Sequence, residues 1–176
     1  GNVSGSTGVA TVTGSGSQWN SSSYLTVGQG GSGTLNVMDG GVVSNDNSGF
    51  IGWTTGSTGE VTVTGSGSQW NNTNWLTVGG SGNGILNVEE GGVVSKDEGY
   101  IGQYSYSNGE ATVIGPGSQW TNSTSLYVGG NSSGGGGNGT LNLNNSGLVT
   151  VSDTTKLWST GTINLDGGTL DTGTLD

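Results

Sequence analysis

GVATVTGSGSQWNSSSYLTVG, residues 8–28, returns as GEVTVTGSGSQWNNTNWLTVG at residues 59–79 and as GEATVIGPGSQWTNSTSLYVG at residues 109–129. Trp19, Trp70 and Trp120 therefore recur after 51 and then 50 residues. Self-similarity at this period predicts a stacked repeat architecture rather than a globular enzyme. Between the copies runs a looser phrase, GTLNVMDGGVVSNDNSGFIG from Gly33 and GILNVEEGGVVSKDEGYIG from Gly84, with the same order of apolar pairs and glycine turns. The repeating unit is thus half the long one, about 25 residues.

Superposing the units gives columns. Ala10, Leu35, Val61, Leu86, Ala111, Leu141 and Ile163 form the first, and Val12, Val37, Val63, Val88, Val113, Leu143 and Leu165 the second. Leu25, Ile51, Leu76, Ile101 and Leu126 form a third. Within each unit apolar residues alternate with Thr or Asn, as in Ala10-Thr11-Val12, which is the period of a strand and not of a helix. Gly, Asn, Asp and Ser separate the strands, and Asp39-Gly40-Gly41 and Asp166-Gly167-Gly168 have the composition of turns that need positive φ.

Three short strands and three turns fit one coil, and coils that pair in parallel with their neighbours make an all-β, single-stranded parallel β-helix. The sequence holds six to seven such coils, a rod on the order of 30 Å long at ~4.8 Å per coil. We expect one domain over residues 1–176, with long repeats at 8–58, 59–108 and 109–160 and a partial coil at 161–176. An insertion near 131–138, NSSGGGGN, is expected to form a mobile flap at one corner. Neither end reads as a polar cap, which is the pattern of a segment of a longer solenoid.

Composition narrows the function. Hydrophobic residues make up 28% of the chain, too few for a broad globular core, but a narrow solenoid needs only a thin apolar ladder per coil. Two Lys plus Arg against 12 Asp plus Glu give a net charge of −10, which opposes nucleic acid and anionic membranes as partners. No apolar run is long enough for a spanning helix, so no membrane insertion by this segment is expected. There is no Cys and no His, which removes thiolate chemistry, the usual zinc ligands and a Ser-His-Asp triad.

The phrase G-x-x-T-V-T-G-x-G-S-x-W-N, then L-T-V-G, then G-x-L-N-V-x-x-G-G-V-V-S, resembles the strand repeat shared by bacterial autotransporter (type V secretion) passengers and other surface proteins. The likeness covers Gly8 to Gly130. The run Gly161-Thr162-Ile163-Asn164-Leu165-Asp166-Gly167-Gly168-Thr169-Leu170 is similar to the short strand repeats of the same passengers. The resemblance implies a right-handed β-helix exported to the extracellular space or outer-membrane surface of a Gram-negative bacterium, commonly in adhesins and biofilm proteins. It implies no catalytic residues; from the residues themselves no metal and no cofactor are expected.

Four aromatics, Tyr24, Phe50, Trp75 and Tyr100, each precede a Leu or Ile of the third column. Because strand neighbours point to opposite faces, they are expected to stand outward as a ladder at coil spacing. Such a ladder is a platform for sugar rings or for a partner's apolar surface; alternatively it only stiffens the sheet. Trp19, Trp70 and Trp120 alternate in a strict count with Ser44 and Ser95, a large-and-small pattern that suits packing. Trp53, Trp158, Tyr104 and Tyr106 fall outside the columns and could extend a surface patch.

Thr11, Asn36, Thr62, Asn87, Thr112, Asn142 and Asn164 form an outward polar row of the kind that stabilises parallel stacks. Thr11-Val12-Thr13 and Thr62-Val63-Thr64 have the form that orders water on ice-binding solenoids, but the intervening coils break the row. Glu89, Glu90, Asp97 and Glu98 could hold Ca²⁺ weakly between coils, although solvated acids that keep the rod soluble explain them as well. A polysaccharide lyase or hydrolase would need facing acids near a groove, and the acids here are scattered. The reading is a non-enzymatic stalk or adhesion segment, with a host-cell or matrix glycan or protein receptor, or a second rod, as partner; a glycan-binding module is the alternative.

Overall fold

The alternating runs fold as seven-residue strands, because inward Val, Leu and Ala have a core to fill while Thr and Asn between them meet water. A computed structural model describes all 176 residues as a parallel β-solenoid without helices, seven coils of about 25 residues each. The first five coils each contribute one strand to each of three faces; in the sixth a single strand, Leu148–Leu157, runs across the second and third, and Thr169–Leu175 of the seventh pairs along it. The first face stacks Thr7–Thr13, Ser32–Met38, Thr58–Thr64, Asn83–Glu89, Asn108–Ile114, Asn138–Asn144 and Gly161–Asp166 in that order. Its register confirms both first-face columns, with Ala10 opposite Leu35 and Val12 opposite Val37. The outward polar row is also in register, and Asn164 Nδ2 donates to Asn142 Oδ1 at 2.8 Å.

On the second face the register differs from the strict count. Trp19, Trp70 and Trp120 alternate with Val43, Val94 and Val149, while Ser44 and Ser95 face outward opposite Asn or Thr. The turn from first to second face holds four residues after Thr13 but three after Met38, so a fixed 25-residue count slides by one. Large against medium packing still results: Trp70 and Trp120 are fully buried, and Trp19, with no coil beneath it, is 38% exposed.

The third face corrects the third column. Leu25 pairs with Gly49, Leu76 and Gly99 follow, and Leu126 continues, whereas Ile51 and Ile101 belong with Val27, Val78 and Val128. A Cβ at Gly49 would crowd Asn72, Leu76 and Trp70, so glycine there makes room for the bulky coil above. Coils thus come in pairs, one carrying Trp and Leu, the next Val and Gly. That pairing is the physical content of the 51-residue repeat.

The corner returning from third to first face is held by Gly28, Gly52, Gly79, Gly102 and Gly129, with φ between 66° and 79°. A side chain there would run into the next coil's backbone, at Gly52 the Asn83 carbonyl. At the insertion the structure shows a two-stranded antiparallel hairpin, Gly130–Asn131 with Gly134–Gly135, where the sequence predicts a mobile flap. It is tied to the rod by Trp158 Nε1 donating to the Asn131 carbonyl at 3.0 Å.

Candidate functional site: an aromatic groove on the third face

Tyr24, Phe50, Trp75 and Tyr100 all reach the outer side of the third face, but they do not form one ladder. Phe50 and Tyr100 share a row with Thr26, Thr77 and Tyr127, while Trp75 stands two residues earlier, opposite Glu98. The cause is the two-residue error in the third column: each of the four precedes an apolar residue, but those residues occupy two different inward positions. The displacement gives the surface relief. Tyr24 and Trp75 rise from it, 55% and 41% exposed, and Phe50 and Tyr100, in the coils that alternate with theirs, lie low at 9% and 7%.

The result is a groove of about 740 Å³. All four predicted residues line it, joined by Trp53 and Tyr104 from the corner turns and by Ser23, Thr26, Gln29 and Gln103. The rings touch in sequence: Tyr24 to Phe50 with centroids 5.8 Å apart, Phe50 to Trp53 at 4.1 Å, and Trp53 to Tyr104 at 6.2 Å. At the far side Tyr100 stacks on Tyr127 at 5.2 Å, a partner that the aromatic columns missed. Trp53, Gln29 and Gln103 were legible in principle, since each directly follows a corner glycine, Gly52, Gly28 or Gly102.

Hydrogen bonds fix the floor. Thr77 Oγ1 donates to Gln103 Oε1 at 3.3 Å in a buried pair, and the Tyr100 phenol donates to a Glu98 carboxylate oxygen. Burial, reinforced by that bond, pushes the Tyr100 phenol far above its usual range, and burial also raises the Tyr127 phenol. Both phenols stay protonated donors. Chemically the groove offers flat ring faces below and hydroxyl and amide groups at the rim, with no basic residue among its lining. Nowhere do three Asp or Glu side chains gather as a cation site, so the acids at Glu89, Glu90, Asp97 and Glu98 form no such cluster.

No family model matches the chain, and no solved structure matches it. Among curated proteins it is similar to the adhesin BmaC autotransporter of Brucella suis biovar 1 (strain 1330), with 38% identity over 97 residues. The match covers 53% of this chain and 3% of that protein's length. Fold and relative agree: the chain is a parallel β-solenoid, and its likeness over half its length to an autotransporter adhesin fits a passenger-like segment. The solenoid contains no helix long and apolar enough to cross a membrane.

Proposed function

We propose that this segment is a rigid, non-enzymatic stalk of a surface-displayed adhesin on a Gram-negative bacterium, holding a receptor-binding part of its parent protein away from the cell. The observation that carries this reading is parallel stacking that continues through all seven coils, with a single register shift between Val151 and Thr154, around one contiguous apolar core along the axis. A rod in which every coil strand between the two end coils is paired on both sides resists bending. The similarity to an autotransporter adhesin supports the same role. Scattered carboxylates and a groove without facing acids leave no support for glycoside cleavage.

The groove favours a second reading, in which the segment itself attaches to glycan. Exposed aromatic faces bordered by amides and hydroxyls are the chemistry that stacks on sugar rings and bonds their hydroxyls. One experiment separates the two. Purified protein is tested on a glycan array and on whole cells beside the double variant Tyr24→Ala with Trp75→Ala. Binding that disappears in a variant with unchanged β-sheet circular dichroism assigns attachment to the groove. Equal silence from both proteins leaves the stalk role alone, and equal binding by both moves attachment to another surface.

A further inference from the structure

The corner leading back to the first face contains a four-residue turn that occurs three times: Val3-Ser4-Gly5-Ser6, Thr54-Thr55-Gly56-Ser57 and Tyr104-Ser105-Tyr106-Ser107. In each, the last amide donates to the first residue's carbonyl, at 3.0, 3.0 and 3.1 Å. The closing Ser hydroxyl donates to the same carbonyl at 2.6, 2.7 and 2.7 Å. The third residue has positive φ in every copy, 75°, 79° and 68°. Gly5 and Gly56 meet that demand at no steric cost, but in the third copy the position is Tyr106.

A bulky side chain at positive φ is a strained choice. The fold gains nothing visible from it, because Tyr106 is 97% exposed. Space does not oppose the side chain, since nothing lies within 4 Å of a Cβ at Gly5 or Gly56. The substitution falls in the one copy of this turn whose first residue, Tyr104, is an aromatic lining the groove, where the other copies have Val3 and Thr54. Strain kept at an exposed aromatic beside a groove points to a contact with something outside the chain.

The charges around the groove limit what that is. The chain's two lysines are elsewhere: Lys96 is buried, and Lys156 is paired with Asp176. Glu98 sits against Tyr100, and the net charge is −10, so an anionic ligand would meet repulsion with no partner. We propose that Tyr106 is a ligand-contact residue that extends the groove onto this corner, and that the ligand is a neutral glycan. This rests on the glycan-binding reading of the groove.

The test uses an immobilised panel of neutral gluco-, galacto- and N-acetylglucosamine-based oligosaccharides with sialylated and uronic counterparts, against the native chain, Tyr106→Gly and Tyr104→Ala. Glycine relaxes the turn, so the melting temperature of Tyr106→Gly rises by about 2–4 °C. Its affinity for the neutral glycans falls about tenfold. A rise in melting temperature with unchanged affinity overturns the contact role while leaving the groove reading intact, as long as Tyr104→Ala weakens binding. A fall in melting temperature makes Tyr106 a structural residue and overturns the inference. Binding confined to the acidic glycans overturns the ligand class, and no binding by any protein overturns the groove reading together with it.

Discussion

Lys96 shows how a single residue departs from the repeat. Its position in the second-face strand is occupied by Asn45, Asn72 and Asn122 in other coils, and its side chain points inward with them. In the second coil, Asn45 Oδ1 accepts a 3.0 Å bond from Trp70 Nε1. Lys96 Nζ makes no such bond, and Trp120 Nε1 lacks a partner, as do Lys96 Nζ, Asn122 Oδ1 and both Asn72 side-chain polar atoms. Nζ lies 5.0 Å from the centre of the Trp120 ring, which favours a charged amine. Burial outweighs that and, despite Glu98 and Asp97 nearby, holds its pKa well below 10.5. The folded amine is therefore neutral over a range in which the unfolded one is charged, and the unfolded state binds more protons. Stability from this group is complete above pH 10.5 and is lost as pH falls toward the lowered folded pKa, by about 1.4 kcal/mol per pH unit. Lys96→Asn restores an acceptor for Trp120 and should stabilise the rod by about 1–2 kcal/mol at neutral pH. Urea midpoints measured between about pH 8 and pH 10 should then change less in the variant than in the native chain. An equal slope in both would show that Lys96 stays charged in the fold. Sequence gave no sign of this burial on its own, because Lys96 reads as one of two ordinary basic residues until it is laid over Asn45.

Strands and turns were legible to different degrees, and the difference is physical. First-face strands are six or seven residues of unbroken alternation, so their columns needed only the period of two and emerged in the correct register. The third-face strands of the first five coils are three or four residues long, and in the second and fourth coils an inward position is Gly49 or Gly99, which carries no apolar signal. Matching apolar residues alone therefore set Ile51 against Leu25, two places out of register. The same error drew an aromatic ladder where the structure has a groove, which all four aromatics line. Turn glycines separate into two kinds that sequence does not distinguish. Gly56, at φ 79°, has open space around it, so Gly56→Ala meets only backbone strain and should cost about 1 kcal/mol. Gly52, at φ 66°, has the Asn83 carbonyl where a Cβ would be, so Gly52→Ala must also push neighbouring coils apart and should cost about 3 kcal/mol or more. Thermal midpoints of the two variants would check the ranking; equal losses would mean that the corner is not the close contact the structure shows.

For the whole molecule, coil pairing makes length a modular property. The second long repeat, residues 59–108, begins and ends in register with its neighbours, since Thr58 and Asn108 hold the same position and Gly59 and Gly109 follow them. Deleting it would join Thr58 directly to Gly109 and seat the fifth coil on the second. Trp120 would then pack against Val43, with Asn45 Oδ1 in reach of its indole, as Trp70 does in the native chain. Nearest-neighbour stacking predicts that the shortened chain folds in one cooperative transition. Its urea m-value should fall by roughly two-sevenths, because m follows the surface exposed on unfolding. Small-angle scattering should find the rod shorter by about 10 Å, two strand spacings. The deletion also removes Trp75, Tyr100 and Tyr104, and with them half of the aromatic groove. Stalk and attachment roles therefore predict opposite results for one protein. If the segment only spaces, a parent adhesin carrying the deletion still attaches, reaching about 10 Å less far; if the groove binds, attachment through this segment is lost while the β-sheet signal remains.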